Sequence, residues 1–454
     1  MQPTPDSSVA RPALSRGSLL RILGVGFGLA VIIGNTVGAG ILNRPGEIAA
    51  KLPNDWLFIG VWVAGGLYAL LGAISIAELG TMLPQSGGQY VFARHAFGDY
   101  VGFIVGWSDW ISTCGSSAFI ALVIAQYTGV LFPSLAKLNA VVALAIVIGF
   151  AMLQWRGLRV SSGVQNLTSL LKALAYVALV VACFVVGSNH QQTAEVTALP
   201  LPQGAPLFAA IIFALQGVIY TYDGWTGVIY FSEEVSDPAR DIPRSMFGGA
   251  LAVIALYLLV NLAVLHVLPI SEVAGKDLAL GAAAQAVFGA MGDPLFRSLM
   301  ILAMLSAVHA CHLMATRVLF AMSRDGLFIQ RAATVNEGGT PTTALALSAT
   351  VAALFIVSGT LDQITAVIAF FFVANYTISF LAVFMLRRRQ PDAARPYKAW
   401  GYPWTTGLSL LGSVAFLAGA VQSDTRNSLY ALVVLAASYP AFHLLKRLAL
   451  RRDK

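Results

Sequence analysis

Residues 34–40 read Gly34-Asn35-Thr36-Val37-Gly38-Ala39-Gly40 and lie in the middle of the first long hydrophobic segment of the chain. Glycine at this density weakens a helix and lets the backbone adopt angles that other residues avoid. Inside a lipid bilayer, the N–H and C=O groups freed at such a break are costly unless a cavity, water or a ligand satisfies them. The stretch therefore predicts an interrupted transmembrane helix that holds a small substrate.

The composition of the whole chain fits a lipid environment. Of its 454 residues, 57% are hydrophobic and only 11% are charged, whereas a soluble domain carries about 25% charged residues. Too few polar groups are present to cover a water-exposed surface, so we expect an all-α integral membrane protein. The three cysteines, Cys114, Cys183 and Cys311, lie in apolar runs and form no disulfide or zinc pattern. Neither a metal nor a cofactor is expected.

Twelve segments are long and apolar enough to be counted as crossings of a bilayer, which needs about 20 residues each. They fall at residues 20–50 (broken), 56–82, 98–131, 138–155, 163–187, 207–234 (broken), 245–268, 281–322, 341–358, 363–386, 404–421 and 428–446. The eighth segment is too long for one crossing, so its opening part, Gly281 to Gly292, is predicted to form a separate surface or re-entrant helix before Pro294.

The predicted organisation is a single transmembrane transporter domain, residues 19–448, between a disordered cytoplasmic tail at 1–18 and a cytoplasmic tail at 449–454. The orientation follows from the positive charges. Of the 28 Lys and Arg residues, 21 lie in the connections on one side, which include both termini, five lie on the other side, and two lie in spans. Both termini are therefore expected in the cytoplasm. Basic loops that mark topology and contact anionic lipid headgroups also account for the net charge of +7 without a nucleic-acid partner.

A second interruption is predicted in the sixth span, at residues 222–227, which read Tyr-Asp-Gly-Trp-Thr-Gly. Discontinuous helices at corresponding positions of two halves indicate a transporter site near the membrane midplane. The first and sixth spans are five apart, as an inverted repeat of five plus five helices requires. The alternative is that such glycines only let helices pack closely, which we expect for Gly65, Gly66 and Gly72.

Four stretches carry a family resemblance. They are IGNTVGAGILNRPGEIA at 33–49, YDGWTGVIYFSEEVSDPARDIPRSM at 222–246, MSRDGLF at 322–328 and RRRQPDAARPYKAWGYP at 387–403. From about Arg21 to Arg447 the chain resembles the amino acid–polyamine–organocation (APC) transporters, and most of all the bacterial members related to L-type amino acid transporters. The resemblance implies a five-plus-five inverted repeat with two extra C-terminal helices. It also implies proton-coupled uptake or exchange of amino acids across the bacterial cytoplasmic (inner) membrane.

An α-amino acid carries a carboxylate and an ammonium group, and the two breaks suit both. Backbone N–H groups at the start of the second half of helix one, at Gly38, Ala39 and Gly40, can bind the carboxylate. Similar transporters often have a hydroxyl residue where Ala39 stands, so one hydrogen bond to the carboxylate is missing here. The ammonium can bind carbonyls at the ends of the first halves. These carbonyls lie around Asn35 and Thr36 in helix one, and from Tyr220 to Asp223 in helix six, a range that includes Thr221.

Asp223 is an ionisable group inside a span, which is a functional hypothesis by default. Facing the cavity, its carboxylate would favour a cationic substrate or a proton. Alternatively, it caps the second half of helix six by accepting N–H bonds near Thr226. In the resembling family an aromatic residue at the place of Tyr220 lies over the substrate as a thin gate. Tyr220 and Trp225 are therefore candidate gating residues, with packing as the alternative role.

Lys172 and Asp109 are the candidates for proton coupling, because each puts a charge deep in a span. In the resembling family a lysine at this place sits against the break of helix one, where sodium-dependent relatives bind a cation. It could link protonation to gating, or it could be a structural strut. Asp109 could pair with Lys172 or take a proton.

Further charged and polar residues admit two interpretations each. The mixed-charge connection Glu233 to Arg244 either closes an inner gate through salt bridges or is a solvated loop. His309 and His312 lack the further ligands that a metal site needs, so packing or a polar cavity face is favoured over metal binding.

Other classes of protein are less consistent with these features. An ion channel needs a continuous pore, usually built from several subunits. No nucleophile and base occur at useful spacing and no phosphate-binding loop is present, so the chain is predicted to be neither an enzyme nor an ATP-driven pump. A sensor built on a permease fold usually has a long signalling tail. A polyamine or organic-amine carrier is the main alternative, because of Asp223. No obligate partner subunit is evident.

Overall fold

The computed structural model describes residues 18–187, 200–358, 361–423 and 425–450. The predicted tails lie outside the described residues, except for Ser18 at the first and residues 449–450 at the second. Its α-helices are α1 (Val25–Thr36), α2 (Gly40–Lys51), α3 (Asp55–Met82), α4 (Gln89–Phe97), α5 (Asp99–Leu131), α6 (Asn139–Trp155), α7 (Leu158–Val186), α8 (Ala205–Thr221), α9 (Pro238–Val267), α10 (Ile270–Val273), α11 (Ala279–Phe288), α12 (Gly292–Arg324), α13 (Thr342–Ser358), α14 (Leu361–Arg389), α15 (Trp404–Ser423) and α16 (Thr425–Leu450).

The described residues form an all-helical protein, as predicted, without a β-strand among them. Eight helical stretches are long and apolar enough to cross a membrane, and the bent pair α1 and α2 makes a ninth. Three shorter apolar helices, α6, α8 and α13, lie where the fourth, sixth and ninth spans were expected. The number of crossings itself stays a prediction.

The predicted break in the first span is present. Helix α1 ends at Thr36, α2 begins at Gly40, and the two axes differ by 46°. The sixth span is also interrupted, but its second part is not an α-helix. After α8 ends at Thr221, the chain turns and continues as a 3₁₀ helix, Gly227–Phe231. The 3₁₀ hydrogen-bond pattern is used mainly in short pieces, so this half of the span is short.

The overlong eighth segment divides much as expected. Helix α11 ends at Phe288 and a 3₁₀ turn, Gly289–Met291, separates it from α12. The boundary falls slightly before the expected one, because Pro294 lies within the first turn of α12. The N–H that proline lacks has no helical partner at that position anyway.

Helix α12 forms the centre of the bundle and packs against α5, α7 and α1, while α3 packs against α9 and α8. In the most apolar part of the stretch that α11 and α12 form, 78% of the residues are buried. In the corresponding parts of α15 and α16, only 22% of the residues are buried. Helix α1 and the 3₁₀ segment Gly227–Phe231 both pack against the enclosed α12. The two breaks therefore lie in the interior, where freed backbone groups can be satisfied.

Candidate functional site

The two breaks touch each other. Gly224, in the turn after α8, has a φ of +114°, and a Cβ there would lie 2.6 Å from the Thr36 hydroxyl oxygen. Gly40, at the start of α2, leaves similarly little room: a Cβ would lie 2.9 Å from Thr221 Oγ1. At Gly224, only glycine combines this backbone angle with this approach. The sequence thus builds one site from two segments that are far apart in the chain.

A cavity of about 180 Å³ lies where the breaks meet. This is smaller than the roughly 300–1,000 Å³ of pockets for drug-sized ligands, so it suits a small solute. All seven residues predicted to bind substrate line its wall: Thr36, Gly38, Ala39, Gly40, Tyr220, Thr221 and Asp223. The other three predicted site residues, Trp225, Lys172 and Asp109, do not line it.

Some backbone N–H and C=O groups of the first break have hydrogen-bond partners within the protein, and others have none. The N–H groups of Gly38, Ala39 and Gly40 donate to no acceptor among the described residues. The Asn35 carbonyl accepts no hydrogen bond from them either. A cavity wall with three unused donors beside an unused acceptor can bind an anionic and a cationic group side by side.

The neighbouring carbonyls are occupied by Tyr257 of α9. Its hydroxyl, in a fully buried side chain, lies 2.7 Å from the Thr36 carbonyl oxygen and 3.1 Å from that of Thr221. These are the terminal carbonyls of α1 and α8. The ring is held by Trp62 and Tyr222, with ring centroids 5.9 and 5.0 Å away. Tyr257 therefore holds the ends of both broken helices together.

Asp223 lies on the cavity wall and accepts a short hydrogen bond from the Tyr376 hydroxyl of α14. Trp225 stacks on Tyr376, with centroids 5.0 Å apart, and its ring packs on Gly72 of α3. The tryptophan thus stands behind the wall, in a packing position, and Tyr376 stands between it and the cavity.

Tyr220 lies toward the mouth of the cavity. Arg44 of α2 sits over its ring, 6.0 Å from the centroid, and is ion-paired with Glu47 one turn further along. The side chains of Arg44 and Glu47 are 32% and 46% exposed. Because both also line the cavity, it opens toward the carboxyl end of α2.

Lys172 of α7 lies behind the first break. Its fully buried ammonium donates to the carbonyls of Gly34, at 2.8 Å, and Val37, at 2.5 Å. The lysine is thus against the break of helix one, where the family resemblance placed it. The pairing with Asp109 that the sequence left open is not formed, since the ion pairs of the described residues do not join the two.

Asp109 of α5 is 1% exposed. One carboxylate oxygen accepts from the Tyr230 hydroxyl at 3.0 Å, and Thr113 Oγ1 lies 3.5 Å from the same oxygen. The other oxygen has no partner among the described residues.

Ion pairs close the bundle at the end opposite the mouth. Glu234, which comes after the 3₁₀ segment, forms a two-point pair with Arg317 of α12, at 2.9 and 3.1 Å, and both side chains are buried. Glu233 pairs with Arg324 at 2.7 Å. Two acids of the mixed-charge connection thus form salt bridges. That these salt bridges close an inner gate stays a prediction.

The histidines of α12 have protein partners. His309 Nδ1 lies 2.9 Å from Gln165 Oε1, and His312 Nδ1 lies 3.3 Å from the Ser117 hydroxyl. Within the ranges that the structure describes, no group of three or more His, Cys, Asp or Glu side chains could hold a metal ion.

Sequence reasoning missed Tyr257, Tyr376 and Tyr230. Each is a tyrosine within a largely apolar segment, and its hydroxyl needs a partner when buried. The adjacent Asn375 in the run FFFVANY was the available signal for Tyr376. Tyr257 and Tyr230 offered no comparable signal.

An all-helical bundle of apolar spans, with a small cavity where two interrupted helices meet, defines a membrane transporter. Comparison with known proteins gives the family: the amino acid permease profile matches residues 27–439. The chain belongs to the amino acid permease family. The family consists of transporters, which confirms that the protein is not an enzyme.

Relatives align over nearly the whole chain. The serine/threonine exchanger SteT of Bacillus subtilis is 28% identical over 438 residues, covering 94% of this chain and 98% of SteT. The mouse b(0,+)-type amino acid transporter 1 is 26% identical over 414 residues, covering 87% and 81%. The branched-chain amino acid permease BcaP of B. subtilis is 28% identical over 424 residues, covering 87% of each.

Proposed function

We propose that this protein moves amino acids across the bacterial cytoplasmic membrane by proton symport or by amino acid exchange. The observation that carries the proposal is the cavity wall at the first break, with its unused N–H groups at Gly38 to Gly40 beside the unused Asn35 carbonyl. The N–H groups at the start of α2 bind the substrate carboxylate, supported by the positive end of the helix dipole. The Asn35 carbonyl accepts the ammonium.

Asp223 selects the substrate side chain. It is a carboxylate in the cavity wall whose hydrogen-bond donor, Tyr376, is neutral. A cationic side chain therefore finds a counter-charge there. Without it, the charged residues that the structure describes on the wall would be Arg44 and Glu47, which are paired with each other. Asp223→Asn should change the preference between cationic and neutral amino acids or the pH dependence of uptake. Unchanged uptake of both classes across pH would refute this role.

The polyamine or organic-amine carrier is the second candidate, and the same carboxylate favours it. An amine without a carboxylate would bind to the Asp223 carboxylate and the Asn35 carbonyl, and the N–H groups at the start of α2 would have no acceptor from the substrate. The two candidates therefore differ in whether an amino acid competes better than its decarboxylated amine.

We further propose twelve crossings in a five-plus-five inverted repeat with two extra helices, and both termini in the cytoplasm. The repeat is supported by interruptions five spans apart, and the orientation by the charge asymmetry of the connections. In this orientation the cavity opens to the outside past Arg44 and Tyr220, which act as the outer gate. The buried Glu234–Arg317 pair closes the inner side.

Proteoliposomes with the purified protein test the function. Uptake is measured for a panel of amino acids and amines, with and without internal substrate and with and without an inward proton gradient. Stimulation only by internal substrate means exchange, and stimulation by the gradient means symport. Lack of uptake of every amino acid and amine would overturn the proposal.

Several parts of the sequence-based hypothesis stay predictions. Protons are expected to be the coupling ion, with Lys172 and Asp109 as the residues that bind them. Membrane lipids are expected to surround the protein, and no obligate partner subunit is expected.

A further inference from the structure

Asp109 and Lys172 are both buried, but they differ in how completely protein groups satisfy their charged forms. The Lys172 ammonium contacts two carbonyls at the end of α1, where the helix dipole places partial negative charge. Both of these contacts favour the charged form. Loss of its proton would weaken the bonds that hold the break, so its position is that of a strut.

The Asp109 carboxylate is compensated at only one of its two oxygens, which accepts from the Tyr230 and Thr113 hydroxyls. It is buried against hydroxyl groups, its second oxygen has no partner, and no ion pair of the described residues includes it. A buried charge that is neither paired nor fully hydrogen-bonded is strongly unfavourable. Binding a proton removes the charge at this place.

The titratable and charged groups around Asp109 supply no compensating cation. Asp223 from the turn, Tyr230 from the 3₁₀ segment, Tyr376 from α14 and Cys114 from its own helix are the nearby titratable groups. The cation that α12 carries near this level, Arg317, is ion-paired with Glu234 and with no other acid of the described residues. Within the described residues, Asp109 therefore has no ion pair with a lysine or an arginine.

One layer of hydroxyl groups separates Asp109 from the cavity. Tyr230 and Thr113 line the cavity, and both hydroxyls lie at the same Asp109 oxygen. A proton from cavity water can therefore pass through one hydroxyl to the carboxylate.

Tyr230 also connects Asp109 to the closed end of the bundle. It lies in the 3₁₀ segment Gly227–Phe231, four residues before Glu234, whose carboxylate is paired with Arg317. A displacement of this segment that separates Glu234 from Arg317 also carries the Tyr230 hydroxyl away from Asp109.

We propose that Asp109 binds and releases the proton that drives transport, and that Tyr230 controls its access. The inference rests on the proposed transport of amino acids and adds the site of coupling. In the state described here, Asp109 takes a proton from the cavity and its carboxylate becomes a carboxylic acid. When the closed end opens, Tyr230 leaves, the Asp109 O–H bond breaks, and the proton passes to water on that side.

The test uses the full chain in proteoliposomes with labelled L-serine and L-arginine, and a pH-sensitive dye inside. With an inward pH difference of one unit, coupling to one proton supports about tenfold accumulation, because one pH unit carries the free energy of a tenfold concentration ratio. Wild type should approach this value and acidify the lumen. Asp109→Asn, which keeps the shape and the acceptor for Tyr230, should only equilibrate the substrate. Without a pH gradient, the Asp109→Asn variant should still exchange labelled external substrate for unlabelled internal substrate.

Three comparisons keep the inference falsifiable. Asp109→Glu should restore accumulation. Tyr230→Phe removes the hydroxyl at Asp109, so it should lower accumulation and shift its pH profile, and an unchanged profile would overturn the role of Tyr230. Tenfold accumulation by Asp109→Asn, or loss of coupling only in Lys172→Gln, would overturn the inference. Wild-type exchange without any response to the proton gradient would overturn it too, but would leave amino acid transport standing. Absence of exchange in wild type would instead count against the proposed function.

Discussion

Replacing Ala39 by serine should tighten the binding of amino acids. Ala39 directly precedes α2, is half-buried, and lines the cavity between two glycines whose N–H groups are unused. Among the residues that the structure describes, no side chain caps this end of α2. A serine hydroxyl would add one donor beside the N–H groups proposed to hold the substrate carboxylate. A gain in affinity is a demanding test, because misfolding cannot imitate it.

The size of the gain depends on the kind of bond. A hydrogen bond to a charged group contributes about 1.5–3 kcal/mol. The cavity opens past the partly exposed Arg44 and Glu47, so water competes for the carboxylate and the lower value applies. About 1.5 kcal/mol corresponds to a roughly tenfold lower Kd.

The assay is equilibrium binding of one amino acid to the purified protein, repeated with the amide of the same amino acid. The gain should appear with the amino acid and vanish with the amide, which has no carboxylate. Ala39→Cys is the matched control, since its thiol is similar in shape but a weak donor. An unchanged affinity, or an equal gain for the amide, would refute the placement of the carboxylate at α2.

Three other substitutions test the architecture around the cavity. Tyr257→Phe leaves the terminal carbonyls of α1 and α8 without their donor, and an unmatched buried acceptor costs about 1–3 kcal/mol; thermal unfolding in detergent should occur at lower temperature, and an unchanged midpoint would contradict the bridging role. Glu234→Gln leaves the buried Arg317 without its counter-charge, which should destabilise the closed end by about 3–5 kcal/mol. A cysteine placed at that end should then be labelled faster by a thiol reagent. An unchanged labelling rate would mean that the ion pair does not hold that end closed. Gly40→Val puts a branched side chain where even a Cβ would lie 2.9 Å from Thr221 of α8, so uptake should be lost. Gly38→Ala, at a position with open space, should retain more uptake. The reverse order of the two variants would contradict the contact between the breaks.

Much of the architecture was readable from local sequence. Residues 34–40 break a helix because glycine weakens helices wherever it stands, and the apolar lengths of the segments locate the other helices. The structure has a helix at each expected span, although α4 and α10 were not expected. Both are short, with nine and four residues, and too little periodicity accumulates over such a length to indicate a helix.

The residues that line the cavity were also largely accessible to sequence reasoning, because a break brings its own backbone to the site. The seven predicted substrate-binding residues belong to the two breaks themselves and all lie on the wall. Trp225 shows the limit of this reasoning. It is next to the break in sequence, but its ring points toward Gly72 and Tyr376, and side-chain direction within a turn depends on what packs around it.

Composition and local backbone preferences were enough to establish a helical membrane protein with two interruptions, because both properties are set residue by residue along the chain. The choice of side chains that serve the interruptions required the packed bundle. Tyr376 reaches Asp223 across 153 residues, and Tyr257 reaches Thr36 across 221. Packing also places Lys172 at the break and Asp109 apart from it, against Tyr230. Such pairings depend on the rotation and packing of whole helices, which no local pattern specifies.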